Sequence, residues 1–281
     1  MRNINYVVLP KLNNMKTNIL KNSVILFSMM FLFLTNAISA QNIVRPEPVA
    51  GKNLTKNIIQ QHLSYPQNAL DNKLSGKITV LFTVDKDGNA YNHRVENAFD
   101  QECAEMAIHL VKQIQWKPAT NNALPCEYNH EYTVEFSHKA YLKNLEKGKA
   151  KFIPQQEFVE DDTYNIYEFK ELDKAPNPYF NNQNITIGSY LRSELRYPDQ
   201  AKEFEISGTV RLSFIIETDG KASNIVIENS VGGGCDNEAV RLIQNLLWIP
   251  GVKDGKLVRV KTTQDITFQF GERNYHDGNQ Y

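Results

Sequence analysis

Between residues 208 and 217 the hydrophobic pattern is at its clearest: Val210, Leu212, Phe214 and Ile216 alternate with Arg211, Ser213 and Ile215. A period of two places one set on a single sheet face and predicts a strand with a strongly buried side. Asp219-Gly220 then marks a hairpin turn, because Gly accepts positive φ at no steric cost, and the return strand is predicted over about Ser223 to Asn229. Upstream, Ile187, Tyr190, Leu191 and Leu195 have helical spacing, and Tyr197-Pro198 ends that short helix. Downstream, Gly232-Gly233-Gly234 breaks the return strand, and Asp236 is placed to N-cap a helix running to about Leu247. Ala239, Leu242, Ile243 and Leu246 give that helix one apolar face. Trp248 and Pro250 end it, and Val258, Val260, Ile266, Phe268 and Phe270 keep one parity across a long last strand. The unit reads helix–strand–strand–helix–strand, an α+β sandwich with the helix on one face of the sheet.

The same unit is written twice. At an offset of 132, Tyr65-Pro66 and Ala69 fall on Tyr197-Pro198 and Ala201, and Ser75-Gly76 on Ser207-Gly208. Asp87-Gly88, Ala90 and Asn92 fall on Asp219-Gly220, Ala222 and Asn224. The match continues without a gap through Cys103/Cys235, Ala107/Ala239, Leu110/Leu242, Trp116/Trp248, Pro118/Pro250 and Phe136/Phe268. That is 18 identities in the 72 positions from Tyr65 to Phe136, against roughly one in sixteen for unrelated chains of average composition. Further upstream the offset aligns Pro46 with Pro178. The expected domains are residues 44–137 and 176–270. Between them, 138–175 is rich in Lys and Glu but also holds Phe152, Phe158, Tyr164, Tyr167 and Phe169, so part of it is expected to pack, with a strand near Tyr164–Phe169. Residues 271–281 form a polar tail.

The first forty residues read as a leader. Lys16 and Lys21 precede an apolar run from Val24 to Leu34, and small residues follow to Ala40, the pattern of a secretory signal cleaved after Ala40. Met15 is an alternative start. The apolar run is shorter than the ~20 residues that span a bilayer, although an uncleaved anchor stays open as an alternative. A cleaved signal implies export of the mature chain.

Composition narrows the function classes. The 281 residues are 41% hydrophobic and 22% charged, and 31 basic against 32 acidic side chains give a net charge of −1. Such a chain has the material for cores and lacks the basic face that nucleic acid requires. Three cysteines, Cys103, Cys126 and Cys235, are too few for a disulfide scaffold. A Cys103–Cys126 bridge is possible in the first copy only. Cys103 and Cys235 share one site at the start of the main helix, either as small core residues or as thiols activated by the helix N-terminus.

Catalytic and metal readings find little support. His62, His93, His109 and His130 face Glu194, Ile225, Arg241 and Thr262 in the other copy, so no histidine site is common to both. Asp85, Asp87 and Asn89 with Glu96 imitate a calcium loop, but Ala90 stands where that loop needs Gly, and a hairpin turn is the simpler reading. No nucleophile-elbow, phosphate-loop or zinc-protease motif is present, and no enzyme activity or cofactor is expected. Trp116 and Trp248 follow the buried stripe of each main helix and are expected in the cores.

Taken in order, Tyr197-Pro198 with Ala201, Gly208–Phe214, Asp219-Gly220, Asp236-Asn237-Glu238-Ala239, Trp248-Ile249-Pro250-Gly251 and the closing aromatic strand resemble the C-terminal domain of TonB. The first copy is more divergent, with Ala104 for Asp236 and Ala119 for Gly251. The resemblance implies a periplasmic module that captures a short extended peptide, the TonB box of an outer-membrane transporter, by adding it as a strand to a sheet edge. The family uses the last strand, which implies a peptide-binding edge at Arg259, Lys261, Thr263 and Asp265 on its outward phase. The first-copy equivalents are Glu127, Asn129, Glu131 and Thr133. Tyr197-Pro198 and Tyr65-Pro66 are either part of this recognition face or packing corners. A TonB energy transducer carries an inner-membrane helix with a His that engages motor proteins and a long Pro-rich span. Here the first His is His62 and the 11 prolines are scattered, so those motor partners are implied only if the leader is retained. Two further readings remain open: an envelope assembly module, and self-association through exposed sheet edges.

Overall fold

The computed structural model describes residues 42–146, 157–182 and 184–271. The leader and all of the polar tail except Gly271 lie outside the described residues. In the first copy, helices α1 (Lys52–His62) and α2 (Gln67–Asp71) precede strands β1 (Gly76–Val84) and β2 (Ala90–Val95), helix α3 (Gln101–Lys112) and strand β3 (Tyr128–Phe136). Helix α4 (His138–Glu146) follows. The second copy repeats the series as α5 (Ile187–Glu194), α6 (Asp199–Glu203), β4 (Gly208–Ile216), β5 (Ala222–Asn229), α7 (Cys235–Asn245) and β6 (Lys256–Phe268).

In each copy the three repeated strands pair antiparallel with the first hairpin strand at their centre, in the orders β2-β1-β3 and β5-β4-β6. The registers are the same: Gly76 faces Phe136 in one copy and Gly208 faces Phe268 in the other. The predicted alternation is realised on β4, where Val210, Leu212, Phe214 and Ile216 are buried, and on β1 through Ile78, Val80, Phe82 and Val84. Helix α3 or α7 covers that face, and Trp116 and Trp248 close each core. The repeated Asp-Gly turn has a packing reason as well as a conformational one. A Cβ on Gly88 would stand 2.4 Å from the Trp116 carbonyl oxygen, and the Trp248 amide donates to the Gly220 carbonyl at 2.8 Å.

Several expectations change. Helix α7 is capped by Gly234 at φ 89°, not by Asp236. Gly232, Gly233 and Gly234 all take positive φ, and the Asp236 carboxylate instead closes this loop by accepting from the Ser230 hydroxyl and the Val231 amide. The first copy lacks these glycines and does use an acidic cap, Asp100, which accepts from the Cys103 amide at 2.9 Å. The helix stops at Asn245, and β6 ends at Phe268, leaving Phe270 exposed. Pro48, rather than Pro46, is the counterpart of Pro178, since Pro48 pairs with Trp116 and Pro178 with Trp248. The linker does add strands: Val159–Glu160 and Ile166–Tyr167 run parallel to Lys256–Leu257 and to Arg259–Val260. All three cysteines are free.

The copies share an interface rather than hanging on a tether. On α1, Ile59 packs into the core of its own copy while Ile58 packs into the core of the other. Helix periodicity allows this, because adjacent positions on a helix point roughly 100° apart.

Candidate functional site

An unpaired strand is the feature of this fold best suited to recognition, since its outward N–H and C=O groups are ready to pair with another chain. The linker strands and the 251–253 strand flank the start of β6, as far as Val260. From Lys261 to Phe268 its only strand partner among the described residues is β4. Backbone groups alternate sides along a strand. The Leu257 carbonyl faces the linker side, where it accepts from the Asp161 amide at 2.9 Å. By that parity Lys261, Thr263, Asp265 and Thr267 direct their backbone groups to the open edge.

A groove of ≈ 370 Å³ runs between this edge and α5. Ile187, Leu191, Leu195 and Ile266 give it an apolar floor, and Arg192, Gln264 and Asp265 bring polar groups to its rim. That helix begins at a capping box in which Thr186 and Ser189 satisfy each other's backbone N–H, a local start signal absent from the sequence-based expectations.

Lys261, Thr263 and Asp265 are exposed on β6 as expected. Asp265 is held by a bidentate contact with Arg211 on the neighbouring strand, at 2.7 and 2.8 Å. That bond keeps its carboxyl below the usual carboxylate range. Arg259 is the correction. It is 5% exposed and its guanidinium turns inward to the Glu217 carboxylate at 2.7 Å. It also donates to the Gln113 carbonyl of the first copy at 2.6 Å and to the Tyr164 carbonyl of the linker at 3.0 Å. A charge this far from water persists only when fully paired and hydrogen-bonded, and these acceptors supply that. Arg259 therefore belongs to the seam between the copies.

In the first copy Glu127, just before β3, and Asn129, Glu131 and Thr133 on it are exposed. Tyr91 donates to Glu127 at 2.7 Å and Thr83 donates to Asn129 at 2.9 Å. Thr133 lies opposite Thr79, with their hydroxyls 2.9 Å apart. Tyr65 and Tyr197 are buried, and their hydroxyls donate to the carbonyls of Leu74 and Ile206, so the Tyr-Pro pairs are packing corners. Tyr197 also reaches the groove wall, while Pro66 and Pro198 are half-buried.

The seam draws on positions of both kinds, shared between the copies and unshared. Asn224 accepts from the Gln115 amide at 2.7 Å and donates to the Gln113 carbonyl at 2.8 Å. His62 lies 3.2 Å from the Asp219 carboxylate. Burial would raise the Asp219 carboxyl, but His62 and then Lys221 outweigh it and hold it well below the usual range. The signal that could have found this seam was present in the offset itself, as strongly polar positions without a counterpart: His62 over Glu194, and Arg259 over Glu127.

The chemistry readings resolve simply. Burial, then the neighbouring Asp100, pushes the Cys103 thiol up to about 12, and burial likewise raises Cys235, so neither is an activated thiolate. The Asp85 carboxylate accepts from the amides of Asp87 and Asn89 within its own turn. Among the described residues no group of acidic, His or Cys side chains could hold a metal ion.

The Gram-negative bacterial TonB protein C-terminal family matches residues 61–138 and again 193–270, together more than half of the chain. No curated protein matches. Among solved structures the chain is similar to the Helicobacter pylori TonB C-terminal domain (residues 179–285) studied by NMR, at 17% identity over 30% of this chain and 77% of that one, with a TM-score of 0.23. The family is a non-enzymatic, transport-associated and envelope-associated one. Among the described residues no helix is long and apolar enough to cross a membrane. With the whole pattern occurring twice at one register, this chain belongs to the TonB C-terminal family as a tandem of two such domains.

Proposed function

We propose that this protein works in the periplasm as a TonB-like module that binds extended, TonB-box-type peptide segments of outer-membrane transporters and has no chemistry of its own. Domains of this family generally interact with outer-membrane transporters. The observation that carries the reading is the open 261–268 edge of β6 beside an apolar groove. Backbone pairing there supplies affinity, and alternate side chains lying over the groove supply selectivity. Lys261, Thr263, Asp265 and the Tyr197 corner flank the bound strand. A near-neutral chain suits a partner held through backbone bonds, which need no strong field.

The test is a titration of the ¹⁵N-labelled protein with TonB-box peptides from the host's transporters. Amide shifts concentrated in residues 261–268 are expected, and their absence would sink the proposal. The assembly-module alternative uses the same edge to pair with another copy or an envelope partner. Sedimentation equilibrium separates the two, because self-pairing requires a mass that rises with concentration. An energy-transducing role needs residues 16–40 to stay attached, and an N-terminus found at Gln41 would eliminate it.

A further inference from the structure

The offset of 132 places Gln60 where the second copy has Arg192, and Glu135 where it has Thr267. In the first copy the Gln60 amide nitrogen donates to the Glu135 carbonyl at 3.0 Å. That carbonyl lies on the open side of β3, the side an added strand must use. Helix α4 then returns over the same place, with the Tyr141 ring 5.1 Å from the Tyr65 ring. The exposed side chains along this edge include Glu127, Glu131 and Glu135, whereas the second copy has Lys261, Thr263 and Thr267 exposed along its own. Arg192 stands exposed on the groove rim with no ion pair among the described residues. Asp265, the acidic residue nearest to it on the strand, is already held by Arg211.

We propose that the protein has a single strand-accepting edge, on the second copy, and that this edge selects an extended peptide carrying a carboxylate beside Arg192. The first copy is closed to such a peptide by Gln60, which occupies the backbone acceptor, and by the glutamates of β3, which repel the carboxylate. This rests on the strand-addition reading above and adds which copy binds and what charge it prefers. One side-chain-to-backbone bond accounts for about a fivefold preference. Like charges along the strand extend it, in a manner that weakens as salt screens them.

The experiment uses the methyl-labelled full chain, with Val134 and Ile266 as reporters, since these buried residues occupy the same position in β3 and β6. The probe is the peptide acetyl-Glu-Val-Thr-Val-Thr-Val-amide, with a second version carrying Lys in place of Glu. The acidic peptide should shift Ile266 and leave Val134 unmoved, with one site per chain by calorimetry. The Lys version should bind at least tenfold more weakly, and Arg192→Gln should remove most of that difference. The combined variant Gln60→Arg, Glu131→Thr, Glu135→Thr gives the first edge the second copy's residues at these three positions, and it should bring Val134 into the response. Equal shifts at Val134 and Ile266 in the unaltered protein would overturn the selectivity while leaving strand addition standing. A silent Val134 in the combined variant would overturn the closing role of these three residues. No response at either reporter with any peptide would remove both this inference and the reading beneath it.

Discussion

The two copies agree wherever a residue serves its own fold and part company in packing, and in several places in sequence, wherever it serves the junction. Asn92 and Asn224 make this plain. Both sit at positive φ, 55° and 47°, in the return strand of the hairpin, so the local backbone requirement is common to both. Asn92 is exposed, whereas Asn224 is buried and bridges two backbone groups of the other copy. Asp85 and Glu127 in the first copy become Glu217 and Arg259 in the second, and only the latter form a buried ion pair. The junction is heterologous: one copy offers the end of a helix, the other the face of a hairpin. A repeat joined this way cannot stay symmetric, because each copy uses a different surface to make the same contact.

Perturbing matched positions sharpens this contrast. The largest expected effect is Arg259→Ala, which leaves Glu217 charged and uncompensated in the seam and should cost about 3–5 kcal/mol. The matched change Glu127→Ala on the open edge should stay within ~1 kcal/mol. Urea denaturation of both variants checks this, and equal costs would place Arg259 outside the seam. Next is Ile58→Ala, expected to cost about 2–4 kcal/mol through the cavity it leaves. Hydrogen exchange should show its effect in β4 and α7 of the second copy, whereas Ile59→Ala should loosen the first.

A third prediction concerns pH. Burial, then Lys112, lowers His93 to about 4 in the folded protein. Its ring stacks on Phe82, and its Nε2 has no hydrogen-bond partner among the described residues. The folded state thus keeps His93 neutral where the unfolded chain, near the ordinary 6.5, takes up a proton. This contribution to stability is present above about pH 6.5 and is lost as pH falls towards 4, on the order of 1–2 kcal/mol at pH 5. The second copy has Ile225 at this position, so His93→Ile should flatten the change in urea midpoint between pH 7.5 and pH 5. An unchanged pH dependence would exclude His93 as its source.

The smallest effect is expected at the tight turn before the last strand. Asn122-Ala123 and Asp254-Gly255 both have two positive φ values, but only the second copy places Gly where the left-handed conformation is cheap. Ala123→Gly should raise stability by up to ~1 kcal/mol, less the extra freedom it gives the unfolded chain. A small rise in Tm would agree, and a fall would mean that the entropy term wins.

Much of the fold was legible because the requirements behind it are local or periodic. The alternation on β4, the Asp-Gly turn, the helical stripe of α7 and the tryptophans that close each core all act through a repeat of two or 3.6 or through one backbone conformation. Where two local devices competed, the sequence misled. Asp236 is a good capping residue, but three glycines free to take positive φ moved the cap to Gly234 and left the carboxylate to close the loop. Arg259 shows the same limit at the candidate site. Parity along β6 put it in phase with Lys261, Thr263 and Asp265, but parity says nothing about what lies opposite.

By itself, then, the sequence determined two copies of one α+β unit, their register and their cores. Those follow from interactions within some tens of residues. Tertiary structure decided that Ile58 serves the other copy's core and that Arg259 is buried against Glu217. It also decided that Gln60 reaches the Glu135 carbonyl while Arg192 has no ion pair among the described residues. Each of these depends on which surface the packing of remote segments brings opposite a side chain, and that distance in space has no period along the chain.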